Sequence, residues 1–155
     1  MLFEAFAFLH LVAAIVWMGG MTFMLFALRP AALVAMEAQP RARLMVQVMQ
    51  RFFRLVLGAI VLLLATGGHM YGSSMKAARA AGAGLPLGWS LMAGLGLLMV
   101  LVFGHIYFAG FAKFKRAVAA AEWPTAAHAA GQIHNLVVLN FVLGWLAIAA
   151  VKFIH

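Results

Sequence analysis

LFEAFAFLHLVAAIVWMGGMTFMLFAL, residues 2–28, decides the fold class. Apart from Glu4 near its start and the single His10, the stretch is almost wholly apolar, and Arg29-Pro30 closes it. About 20 predominantly apolar residues suffice to cross a hydrocarbon core of roughly 30 Å. The stretch is too long for the apolar region of a signal peptide, has no basic residue ahead of it and lacks a small-residue cleavage site, so it reads as a retained transmembrane helix.

Three further runs of the same kind follow, over residues 52–71, 89–112 and 133–151. Between the first two, Pro40, Arg41 and Arg43 make the chain too polar to cross, and an amphipathic segment from Leu44 to Phe53 extends the next helix. Gly72-Ser73-Ser74 opens a Gly- and Ala-rich stretch to Gly88 that reads as a flexible turn. Short connections between four spans predict an all-α integral membrane protein, an antiparallel four-helix bundle forming one transmembrane domain over residues 1–155. Gly19, Gly20, Gly58, Gly94 and Gly96 are the small residues expected where helices meet.

The composition agrees: 67% of the 155 residues are hydrophobic and 9% charged, against about 25% charged in soluble domains. With no cysteine, a disulfide scaffold, a thiolate metal centre and a thiol nucleophile are excluded. A net charge of +8 would suggest nucleic acid in a soluble protein. Here eight of the eleven Lys and Arg residues fall in the first and third connections (Arg29, Arg41, Arg43, Arg51, Arg54; Lys113, Lys115, Arg116). The positive-inside rule then predicts a cytoplasmic position for those connections and an outer, periplasmic position for both termini, in a bacterial inner membrane. Tyr71 and Trp89 fall where aromatic rings anchor the outer headgroup level. The charge excess records topology, and no nucleic-acid partner is expected.

Each span carries one histidine: His10, His69, His105 and His134. Ionisable residues inside a membrane are expensive and mark functional sites by default. At ~1.5 Å rise per residue, His10 and His69 lie roughly 8 and 10 Å outward of their helix midpoints. On the same arithmetic His105 and His134 lie roughly 8 and 11 Å toward the cytoplasm. Two imidazoles at matched depth on facing helices are what axial ligation of a b-type haem requires. The expectation is therefore a membrane cytochrome binding one or two haem b groups through these pairs, exchanging electrons with a quinone or another membrane redox partner. Arg51 and Arg54 lie at the cytoplasmic edge as candidate propionate contacts.

The competing ligand set is sulfur. Met18, Met21 and Met24 recur every three residues beside His10, and thioethers suit Cu(I), which predicts a Cu(I) permease instead. A third expectation is a non-catalytic subunit packing against a membrane partner or a second copy of itself, with the histidines as interhelical hydrogen-bonding groups. His128 and His155 fall outside the spans and read as solvated. No G-x-S-x-G, Walker A, H-E-x-x-H or paired-carboxylate pattern supports hydrolysis.

The segment His10 to Gly20 (HLVAAIVWMGG), continuing to Leu28-Arg29-Pro30, resembles the first helix of the CopD-like and HemJ-like membrane proteins, which share an H-x(6)-W-x-G-G-like pattern. Gly104-His105-Ile106-Tyr107, leading to Lys113-Phe114-Lys115-Arg116, is similar to the histidine-plus-basic end of a HemJ-like helix. His134-Asn135 falls where that family has an R-W-x-N-E-like stretch, with Leu136 here in place of the acidic residue. The resemblance implies a haem b protein of the protoporphyrinogen oxidase type or a protein of copper uptake. It marks His10, His105 and Asn135 as functional.

Overall fold

The computed structural model describes residues 1–154; His155 lies outside the described residues. Four long helices account for nearly all of the chain: α1 (Leu2–Ala35), α2 (Ala38–Ala80), α3 (Leu87–Ala119) and α4 (Trp123–Phe153). Each is long and apolar enough to cross a membrane, and no strand occurs among the described residues. The all-α, four-span expectation holds, but every helix overruns the boundaries read from hydropathy.

Pro30 does not end α1. A proline inside a helix lacks an N–H donor and its ring crowds the carbonyl four residues back. The turn before it, Met24–Leu28, is wound as a π-helix, and the wider turn absorbs that misfit so that the helix continues to Ala35. The Gly72-Ser73-Ser74 segment does not end α2 either. Ser73 Oγ donates to the Met70 carbonyl at 3.0 Å, within the helix, and the chain stays helical to Ala80. At 43 residues, α2 is roughly 64 Å long on a 1.5 Å rise, about twice a hydrocarbon core. Likewise α4 begins at Trp123, with Pro124 in its first turn, where its missing donor is not needed.

The helices alternate in direction. Leu2, Phe153 and the α2–α3 connection share one end, called here the terminal end, and the α1–α2 and α3–α4 connections share the other, basic end. Helix α1 packs chiefly on α2, and α3 on α4, giving two antiparallel hairpins. Van der Waals fit, rather than water exclusion, drives helix association in lipid. The fit between the hairpins is aromatic: Trp17 meets Phe103 edge-on at 6.0 Å, and Phe53 meets Phe103 and Phe111 edge-on at 5.6 and 5.2 Å. Such pairs contribute about 0.5–1.5 kcal/mol each beyond burial.

A second π segment, Ile106–Phe111, lies in α3. It lets Ile106 and Phe111, five residues apart, both face inward, at 1% and 2% exposure. Of the small residues expected at contacts, only Gly20 sits at one, under the Phe52 ring; Gly19, Gly58, Gly94 and Gly96 face open space. A closer approach occurs at Gly88, whose Cα rests against the carbonyls of Ala150 in α4 and of Ile154 just past its end. The hairpins are also tied at the terminal end by a 3.2 Å hydrogen bond between the Tyr71 and Ser90 hydroxyls.

Candidate functional site

At the terminal end α1 and α2 are joined by a polar contact. His10 Nδ1 lies 2.9 Å from Thr66 Oγ1, and Thr66 is 1% exposed. The Thr66 hydroxyl has a single proton, and its oxygen is 2.6 Å from the Leu62 carbonyl, to which it donates. Its oxygen therefore accepts from His10 Nδ1–H. That fixes the tautomer: the neutral imidazole carries its proton on Nδ1 and leaves the Nε2 lone pair free. An imidazole whose far N–H is anchored in this way is the usual form of a metal-ligating histidine.

The space for the ring comes from Gly67. A side chain there would begin 2.9 Å from His10 Cε1. One turn along, the His69 ring lies on Phe6 of α1, centroids 4.5 Å apart. The structure thus brings His10 and His69 to the same end of the same hairpin.

The other two histidines are not brought together. His105 is exposed on α3. His134 points into a cavity of about 220 Å³ between α1, α2 and α4 at the basic end. Its Nδ1 is buried there without a hydrogen-bond partner among the described residues. Arg29, Arg41, Met24, Met45, Met49 and Trp123 line the same cavity. Arg41 donates to the Met36 carbonyl at 3.0 Å, and Arg43 lies 5.8 Å over the Trp123 ring. Arg51, Arg54, Asn135 and His128 are exposed.

This arrangement does not fit a haem held by the expected pairs. At the outer pair α1 and α2 pack directly on one another, Phe6 on His69 and His10 on Thr66 and Gly67, which leaves no macrocycle-wide slot between the two helices there. The cavity at His134 is smaller than the roughly 300–1,000 Å³ of small-molecule sites, and His105 does not face it. Matched depth set the height of each histidine along the bundle; it said nothing of the direction in which each one points.

The methionines of α1 diverge too. Met18 reaches α4, where its sulfur lies against the bare Cα of Gly144. Met21 is buried in the core at 2% exposure, and Met24 lines the His134 cavity. Among the described residues no three His, Asp or Glu side chains converge as a metal-binding group. The soft donors of the bundle are its thioethers, and the anchored His10 adds an imidazole nitrogen at the terminal end.

The fold and these polar groups define a multi-pass four-helix membrane protein with one anchored imidazole and a methionine-rich interior. A family model described as Copper resistance protein D (CopD) matches residues 46–154, and the chain belongs to that family. The match begins inside α2, so α1 with His10 and Met18 precedes it. No curated protein and no solved structure matches the chain.

Sequence reasoning missed two residues that shape this interior and the role of a third. Thr66 reads from the sequence as a small residue on the His69 face, and its pairing with His10 is not apparent there. Asn140 is an amide in the middle of the fourth span, a visible polar interruption. Met99 carries no distinguishing pattern.

Proposed function

We propose that this protein carries Cu(I) between the two faces of a bacterial cytoplasmic membrane. The observation that carries the reading is the hydrogen bond from His10 Nδ1–H to Thr66, which holds a neutral imidazole with Nε2 free at the terminal end of a CopD-family bundle. Copper is the cargo here, and His10 is its first ligand. Thioethers are the matching soft donors along α1, with Met18, Met21 and Met24 receding from His10 toward the basic end. The basic end faces the cytoplasm in this reading, since Arg and Lys are retained on that side.

The test is flux of Cu(I) into proteoliposomes containing a trapped Cu(I) chelator dye, which does not depend on orientation. Vesicles with the protein should fill faster than protein-free vesicles, and His10→Ala should return the rate to background. Equal rates for wild type and His10→Ala would overturn the assignment.

A further inference from the structure

Gly144 of α4 is where two other helices converge. The sulfur of Met18, from α1, fills the space a Gly144 side chain would take, and the terminal methyl of Met99, from α3, lies 3.2 Å from the same point. Two thioether ends thus meet at one spot on a third helix. That spot is eight residues beyond His10 along α1, ~12 Å deeper on a 1.5 Å rise.

One turn away on the same face of α4 is Asn140, 1% exposed. Its amide N–H donates to the Met99 carbonyl at 3.2 Å, which fixes the amide plane. Its Oδ1 is buried with no partner among the described residues. Buried polar atoms are nearly always satisfied, and each exception asks for an explanation. Two thioethers with an unpartnered oxygen acceptor one helical turn away suit a soft monovalent cation; weakly accepting sulfurs would hold a water poorly.

We infer that Met18, Met99 and Asn140 form a mid-membrane Cu(I) waypoint between the two hairpins, with Gly144 kept bare to give the thioethers room. The inference rests on the transport reading above. It places the path off the α1–α2 interface, where His10 sits, and onto the contact between hairpins. Methionine's three rotatable bonds let both sulfurs turn toward the ion without moving a helix.

The experiment compares wild type with the Met18→Leu/Met99→Leu double variant, a change close to volume-conserving. Binding is read with Ag(I), the non-oxidising analogue of Cu(I), by competition against a chromophoric chelator on purified protein in detergent. Flux is read in the Cu(I) vesicle assay. The double variant should hold one fewer Ag(I) per chain and lose about tenfold in flux, with helical content and elution volume unchanged. His10→Ala should retain the mid-membrane Ag(I). Wild-type flux in the double variant overturns the waypoint while leaving the transport reading intact. Wild-type vesicles that fill no faster than empty ones overturn the transport reading and the waypoint with it. If the double variant aggregates, the two single Met→Leu variants decide by the same criteria.

Discussion

The two ends of the bundle each hold an inward-facing histidine, and they hold it in opposite ways. At the terminal end His10 is oriented by Thr66, which is itself anchored to Leu62, and its ring sits in space vacated by Gly67. At the basic end His134 has an unpartnered Nδ1 and shares its cavity with two guanidinium groups, Arg29 and Arg41. A cation is stabilised by an imidazole whose lone pair is aimed and left free, and opposed by neighbouring positive charge. The difference teaches that histidine count and depth do not define a ligand; the group behind the ring does.

The largest effect that could break this contrast is a single methyl at each end. In Gly67→Ala the added Cβ would begin 2.9 Å from His10 Cε1, so the ring must leave Thr66, and Cu(I) affinity should fall by about 100-fold, the upper range for lost ligand support. Gly131 lines the His134 cavity but has nothing within 4 Å of such a methyl. Gly131→Ala should leave flux unchanged and raise stability by about 1 kcal/mol through helix propensity. Competition titration and detergent unfolding of the two variants check this; equal copper affinity in both would erase the distinction between the ends.

A smaller effect sharpens the role of the anchor. Thr66→Val keeps the shape and removes the hydroxyl, freeing the His10 tautomer, and should weaken Cu(I) binding by about tenfold. Thr66→Ser restores the acceptor and should bind as wild type does. A Val variant that binds like wild type would show that the hydrogen bond orients nothing of consequence.

Stability should separate the two histidines in the same direction. His10→Leu removes a formed hydrogen bond and should cost about 1 kcal/mol. His134→Leu removes a buried nitrogen that has no partner, so it should be neutral or stabilising by about 1 kcal/mol. Unfolding of both variants in detergent reads the sign directly, and equal losses would mean that His134 is satisfied in a way its surroundings do not show.

How much of this was legible in the chain depends on which forces a pattern reports. Four apolar runs of spanning length specified the four helices, and the antiparallel packing followed from short connections. Helix ends were misread where a local rule presumed ordinary α geometry. Pro30 is a stop signal only if the turn before it stays α, and Met24–Leu28 widens instead. Gly72-Ser73-Ser74 is a turn signal in water, but Ser73 bonds back to Met70 and leaves α2 intact. Within the site, spacing gave height and withheld azimuth. Methionines every three residues drift about 60° per step on a 3.6-residue helix, so Met18, Met21 and Met24 reach α4, the core and the basic cavity in turn. Asn140 was legible in principle, a polar amide in the middle of an apolar span.

The smallest expected effect returns to the two ends through their turns. Helix α2 stops at Gly82, whose φ of +69 is the left-handed conformation glycine adopts freely. Ala83 N–H reaches the Ala78 carbonyl at 2.9 Å and Gly82 N–H reaches Arg79, closing a Schellman motif. Helix α3 stops with the same hydrogen bonds at the basic end, Glu122 N–H to Ala117 at 2.9 Å and Ala121 N–H to Val118 at 3.2 Å. There the left-handed residue is Ala121, at φ 56, and its Cβ crowds the following carbonyl. Ala121→Gly should therefore stabilise the bundle by about 1 kcal/mol, and Gly82→Ala should destabilise it by a similar amount. Both sites are exposed, so neither change disturbs packing and the backbone effect stands alone. Paired detergent unfolding curves moving in opposite directions confirm the strain at the basic end; a destabilised Ala121→Gly would show instead that the turn tolerates its alanine without strain.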